Sequence, residues 1–164
     1  MCIRDRPIML QDNKVNLGLG RNFIDMAFVA RGNYYMLVNG DNAEPKETLD
    51  AILAEVGKAD MIIPFFGNKD DRSKFRICIS KIFTFLINVI GGHKIKYYNG
   101  PIVHKRHNVM RWSSDTYGFA YQAELLTIMI NEGKTFLQIP ISNKDRKIGV
   151  SRAFRVQNIV SVLH

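Results

Sequence analysis

Cysteine is scarce in this sequence. Cys2 and Cys78 are the only two, and they lie far apart. They give neither a disulfide framework nor a zinc-ligand spacing, and such usage fits a reducing compartment. The four histidines, His93, His104, His107 and His164, form no metal-ligand pattern either, and His104-Lys105-Arg106-His107 reads as a basic surface turn. Long apolar runs are also missing. The most apolar window, Phe75 to Ile90, is shorter than the roughly 20 residues of a spanning helix, and Arg76 and Lys81 interrupt it. It reads as a core or interfacial helix. Residues 1–16 lack the apolar segment of a signal peptide. There is no internal repeat, low-complexity tract or Pro/Gly/Ser-rich linker, so one domain is expected. Acid is in deficit: 15 Asp and Glu against 23 Lys and Arg leave a formal charge of +8. That imbalance implies an anionic partner: nucleic acid, a phosphorylated ligand or an anionic membrane face. No RNP, helix-turn-helix or zinc pattern accompanies it, so nucleic acid is not the expected partner.

What remains is an ordinary globular composition, 164 residues with 46% hydrophobic and 23% charged, enough for a sizeable core. Met1-Cys2-Ile3-Arg4-Asp5-Arg6 looks foreign to the rest of the chain. Residues 1–12 are expected to be a non-native or disordered start, and 13–164 to hold the folded part.

Helix-like and strand-like segments alternate along that part. Residues 20–30 space Phe23, Met26, Ala27 and Ala30 on one helical face, and Gly32 suits the helix end. Tyr34 to Val38 is a strand. Pro45 to Val56 is a helix with proline in its first turn, stopped by Gly57. Ala59 to Phe66 is a buried strand, and 72–90 a long apolar helix closed by Gly91-Gly92. Ile95 to Tyr98 and Ile102 to His104 read as short strands around Asn99-Gly100-Pro101. Phe119 to Glu132 is a helix, Thr135 to Ile141 a strand, and Ala153 to Leu163 a terminal amphipathic helix. The alternation predicts an α/β domain with a largely parallel sheet.

Three stretches carry candidate chemistry. Asn39-Gly40-Asp41 ends a β-prone run, and open α/β sheets place ligands where strands end. Asp41 offers a carboxylate to a divalent ion on a diphosphate, and the same turn serves equally as a plain helix cap. Between Lys134 and Arg155 six basic residues face one acid, Asp145. Arg146 and Arg152 suit phosphate, or form a solvated basic loop. Glu124 lies within an apolar helical pattern and is either a general base or a solvent-side residue.

The order of these stretches resembles family 2 glycosyltransferases. Asn16-Leu17-Gly18-Leu19-Gly20 followed by Ala30-Arg31-Gly32-Asn33-Tyr34 resembles the run before that family's DxD turn, with Asn39-Gly40-Asp41 and Pro45 at the turn itself. Ala59-Asp60-Met61-Ile62-Ile63 resembles its next strand, Arg72 and Ser80 its Arg…Ser helix, and Tyr98-Asn99-Gly100 its acceptor-side turn. Gly118-Phe119…Glu124, Gln138-Ile139-Pro140-Ile141 and Arg146…Gly149-Val150-Ser151-Arg152 resemble its closing signatures. The resemblance covers about residues 13–155 and is nearest to dolichol-phosphate mannosyltransferase and the polyprenyl-phosphate enzymes.

The resemblance implies a GT-A fold, mostly parallel and flanked by helices. It also implies inverting transfer from a nucleotide-diphosphate sugar to a lipid-phosphate or glycan acceptor, with Mg²⁺ or Mn²⁺. Asp41, Asn39 and Glu44 would form the metal site, and Asp41 and Glu124 would be catalytic. Gly18, Gly20, Asn39, Asp41, Arg146 and Arg152 would bind the donor, and Asn99, Arg146, Ser151 and Arg152 the acceptor or its phosphate. The setting implied is cytoplasmic, peripheral to the inner face of the plasma membrane. The chain departs from the pattern in three places. Asn39 replaces the first DxD Asp, Ala43 stands where Gln is frequent, and no Asp precedes Gly100. The family's opening strands and nucleotide-holding loop are not found before Leu17, so an N-terminally truncated domain is expected. A second reading, a degenerate non-catalytic module on anionic membrane, rests on Asn39 and Ala43 together with the apolar stretches Phe75–Ile90 and Ala153–Leu163.

Overall fold

The computed structural model describes residues 9–40, 44–70, 73–113, 118 and 120–143. Elements run α1 (Leu19–Val29), β1 (Tyr34–Met36), α2 (Lys46–Leu53), β2 (Met61–Asp70), α3 (Lys74–Gly91), β3 (Val103–Lys105), α4 (Arg106–Arg111), α5 (Tyr121–Asn131) and β4 (Phe136–Asn143). The four strands form one sheet in the order β1-β3-β2-β4. β1, β2 and β4 run the same way and β3 runs against them. The mostly parallel arrangement therefore holds in strand direction, although only the β2–β4 ladder is itself parallel.

β2 is buried on both faces, as a strand covered by helices on each side must be. Met61 and Ile63 face a core with Phe23, Ala27, Tyr121 and Leu125, contributed by α1 and α5. Ile62 faces the opposite cluster with Ile52 of α2, Val103, Ile139 and Ile141. α1 buries Gly20, Phe23 and Ala27, one helical stripe. Its Phe23 ring lies 4.7 Å from Tyr35 and 5.3 Å from Tyr121, tying helix to sheet. α2 starts at Pro45, whose carbonyl accepts from the Thr48 and Leu49 amides.

α3 departs from the core reading of the Phe75–Ile90 window. Thr84 is its one buried residue. Phe83 and Ile87 pack inward, while Phe75, Ile82, Phe85, Leu86, Val89 and Ile90 stay exposed, Ile90 at 82%. Gly92, at φ 68°, ends the helix in a left-handed turn that favours glycine.

Two expectations fail. Residues 95–98 form no strand: β3 pairs β2 only at Met61 and Ile62, and Pro64 then offers no N–H to continue a ladder. The basic tetrapeptide is not a surface turn. His104 lies in β3 at 1% exposure, with neither ring nitrogen hydrogen-bonded and Phe23 edge-on at 6.0 Å. Lys105 pairs with Asp60 at 2.8 Å. Arg106 begins α4, an element absent from the sequence reading, and its guanidinium donates to the Gly32 and Ala27 carbonyls at the end of α1. The proposed terminal helix 153–163 lies outside the described residues.

Asp60 joins the starts of β2 and β4 to the end of β3. Its carboxylate accepts from the Thr135 amide and hydroxyl at 2.8 and 2.7 Å, and its carbonyl accepts from the Lys105 amide. The Lys105 bond first, then the Thr135 bonds, hold this carboxyl well below the usual carboxylate range. Its stabilising effect is therefore present above about pH 4 and lost as the pH falls further. His104 acts earlier. Burial keeps its imidazole neutral, with the pKa pushed down to about 3. The unfolded chain takes up that proton below about pH 6.5 while the folded chain does not, so stability drops as the pH falls from there. In thermal melts, His104→Leu should flatten the decline between about pH 6.5 and 4.5 and leave only the steeper loss below about pH 4. An unchanged profile would mean that the imidazole is not the titrating group.

Candidate functional site

β1 delivers the Asn39 turn. Met36, its last residue, pairs with Val103, the first of β3. The turn after β1 and the loop before β3 therefore emerge at the same end of the sheet, the carboxyl end of β1 and β2. α5 brings its amino terminus to that end too, since Gln122 in its first turn donates to the Gly100 carbonyl at 2.7 Å. α1 runs back from its amino terminus to the start of β1, which sets Gly18 and Gly20 toward this same end. Gly18 takes φ 82° and its amide donates to Asn16 Oδ1, while Gly20 is buried within α1.

Within the turn, Asn39 Nδ2 donates to Glu44 Oε1 at 2.9 Å. The other carboxylate oxygen, Glu44 Oε2, is buried with no hydrogen-bond partner. An orphaned carboxylate oxygen is a hard donor of the kind Mg²⁺ or Mn²⁺ prefers, while Asn39 meets this carboxylate through its amide nitrogen. The residues present thus fit a divalent ion in part, with Asp41 outside the described residues. Among the described residues no group of three His, Cys, Asp or Glu gathers as a metal site, at this turn or elsewhere. Gly40 has nothing within 4 Å of where a Cβ would stand, so it leaves open space over the turn.

The acceptor-side turn is held more firmly than it looks in the sequence. Asn88 of α3 donates to the Ile95 carbonyl at 2.7 Å and accepts from the Ile95 amide and the Tyr98 hydroxyl. Gln138 of β4 accepts from the Lys96 amide and donates to the Lys94 carbonyl. Gly100 packs directly on β2, where an added Cβ would stand 3.1 Å from the Pro64 carbonyl oxygen. Asn99 is left exposed at the tip. Beside this loop a groove of about 270 Å³ runs between α3 and the end of β2, lined by Phe66, Ser80, Lys81, Thr84, Lys96 and Tyr97. Tyr97 packs on Phe66 at 4.8 Å, and the Lys96 ammonium lies 4.1 Å over the Phe65 ring.

Glu124 is half-buried in the first turn of α5. It is two residues from Gln122 and at the same end of the sheet as Asn39 and Asn99. A carboxylate there also complements the helix dipole. The structure thus gathers Gly18, Gly20, Asn39, Glu44, Asn99 and Glu124 at one end. Asp41, Arg146, Ser151 and Arg152 lie outside the described residues. Asn88 and Gln122 carry no signal in the sequence that marks them as positioning residues. Gln138 is visible within the Gln-Ile-Pro-Ile run, yet its role in holding Lys94 and Lys96 needs the fold. The Trp112 ring is 5% exposed and packs 6.3 Å from Tyr121.

No known family profile matches the sequence, and no curated protein is detectably similar to it. Among solved structures the fold is similar to that of glucosyl-3-phosphoglycerate synthase from Mycobacterium tuberculosis, solved in complex with uridine diphosphate. The TM-score is 0.65 at 13% sequence identity, over 92% of this chain and 56% of that one. The fold is thus GT-A, and the chain spans just over half the length of that protein.

Gln122→Leu removes the side-chain donor to the Gly100 carbonyl, which keeps its bond from the Ile102 amide. It should cost about 0.5–1.5 kcal/mol in chemical denaturation and speed amide exchange across 95–102. A neutral result would show that the loop holds without this bond.

Proposed function

We propose that this chain takes part in moving a sugar from a nucleotide-diphosphate donor to a lipid-phosphate or other membrane-associated acceptor in cell-envelope glycan synthesis, with inversion at the anomeric carbon. The observation that supports it best is the meeting of the Asn39–Glu44 turn, the Asn99–Gly100 turn and the start of α5 at the carboxyl end of a GT-A sheet. That is where open α/β sheets place their ligands.

Asn39, Glu44 and Asp41 are the candidates to hold Mg²⁺ or Mn²⁺, which when bound offsets charge on the departing diphosphate. Gly18 and the open space over Gly40 let the donor approach the backbone, while Gly20, buried within α1, serves packing. Arg146 and Arg152 neutralise phosphate, with Ser151 donating a hydrogen bond. The acceptor oxygen forms its bond to the anomeric carbon as the bond to the diphosphate breaks, and the diphosphate leaves with the electron pair. An acceptor phosphate is already ionised and needs no base. For an acceptor hydroxyl, Glu124 takes the proton.

The membrane setting draws support from α3. Its exposed apolar residues share the helix with Lys74, Arg76 and Lys81, and no acidic residue lies between Lys74 and Gly91. That combination suits the face of an anionic bilayer, with the Lys81–Lys96 groove facing the acceptor phosphate. No helix among the described residues is long and apolar enough to cross a membrane. The competing reading, a non-catalytic module on anionic membrane, draws on the same helix and on Asn39 in place of a carboxylate.

Calorimetric titration with uridine diphosphate separates the two. The transferase reading expects saturable binding that requires Mn²⁺, disappears with chelator, is lost in Asp41→Ala and weakens about tenfold or more in Glu44→Gln. Binding to phosphatidylserine vesicles with no metal-dependent nucleotide binding would sink it in favour of the non-catalytic module.

A further inference from the structure

A second cavity lies at the opposite end of the sheet. It measures about 200 Å³ and is lined by Asn108 and Arg111 of α4, Trp112 and Ser113 just after it, and Glu132 and Lys134 between α5 and β4. Glu132 and Lys134 precede β4, so the cavity opens at the amino end of that strand. The Asn39 turn follows β1, which runs the same way as β4. The two sites are therefore separated by the length of the sheet.

Two buried polar groups in its wall lack partners. Asn108 is 2% exposed, and neither its amide nitrogen nor its amide oxygen is hydrogen-bonded. The Trp112 indole N–H is likewise buried and unpartnered. Folded proteins rarely leave such groups unsatisfied, because their desolvation goes uncompensated. Two of them in the wall of one cavity indicate a missing partner there. The charges in the wall indicate its sign. Arg111 and Lys134 are cationic, Glu132 is the lone acid, and none of the three forms an ion pair among the described residues.

We propose that this cavity binds a small phosphate-bearing ligand. The Arg111 guanidinium matches two phosphate oxygens at once, and Lys134 adds a point charge. The Asn108 amide and the Trp112 indole donate to the remaining oxygens, which satisfies both orphaned donors. Glu132 accepts from a P–OH group or from a hydroxyl of a phosphate ester, which favours a hydroxylated phosphate monoester over a bare dianion. At about 200 Å³ the cavity suits a phosphate with a short polyol better than a nucleotide. The ligand is thus distinct from a sugar-nucleotide donor.

Trp112 is the chain's single tryptophan, so its fluorescence and its indole N–H resonance report on this cavity alone. The whole chain is titrated with inorganic phosphate and separately with glycerol phosphate, against potassium chloride at matched ionic strength. The expected result is a saturable change in both signals, with glycerol phosphate binding tighter than inorganic phosphate. The double variant Arg111→Gln/Lys134→Gln should weaken binding about tenfold or more, while Lys58→Gln, a surface control paired with Glu55, leaves it unchanged. Asn108→Leu, which removes the unpartnered amide, should weaken binding with no loss of melting temperature. Saturating uridine diphosphate with Mn²⁺ should leave the phosphate response intact, whether or not the nucleotide itself binds. A response that chloride reproduces, that survives in the double variant or that the nucleotide abolishes overturns the proposal, as does the absence of any saturable response.

Discussion

The site end of this molecule depends on three side-chain amides. Asn88, Gln122 and Gln138 come from α3, α5 and β4, and each bonds the backbone of the loop before β3. That loop stands where a strand would be expected beside β2, yet Pro64 in β2 cannot donate to it. An irregular segment against a sheet carries backbone groups that must still be satisfied. The amides supply the partners that a ladder would have supplied. In doing so they lock two helices and an edge strand to one loop, and the exposed Asn99 tip inherits that rigidity. A site residue on a loop is useful when the loop is held by the scaffold beneath it.

The sheet gives the molecule two chemically different ends. At the carboxyl end, Asn39, Glu44, Asn99 and Glu124 present oxygens, and basic groups approach from Lys81 and Lys96. At the amino end, Asp60 fastens β2, β3 and β4 together through Lys105 and Thr135, and Arg106 closes the end of α1. Bonds at that end fix the strands in register. They leave the opposite end free to carry loops whose residues are chosen for chemistry rather than for cohesion.

Much of this is legible in the residues. α1, α2, α3, α5, β2 and β4 fall within a few residues of where spacing, Pro45, Gly92 and Gly133 place them, because local propensity and tertiary burial agree there. The missing strand at 95–98 has a physical reason. Its tyrosines and isoleucine read as β-prone, and Ile95 and Tyr98 are indeed buried, but the partner strand carries a proline at the point of pairing. His104 reads wrongly as a surface residue because charged neighbours dominate a four-residue window, whereas burial is decided by the strand that carries it. α4 leaves little trace: it is six residues long with no side-chain cap. At the site, the turn residues can be named from the sequence, but the Asn39–Glu44 bond and the three bracing amides cannot, since each joins residues through the fold.

Arg106 ties Gly32 and Ala27 across 74 and 79 residues of chain, and among the described residues β1 finds its ladder in β3 alone. During synthesis, α1 and β1 leave the ribosome well before the segment that completes them. Until residues 103–106 emerge, the early elements have no strand to pair with and no guanidinium to close their helix end, so their order is set by elongation rather than by local folding. A nascent chain stalled short of this point exposes an unpaired edge and the apolar stripe of α1 together. That interval is where a chaperone holding extended, apolar chain would matter most to the yield of native protein.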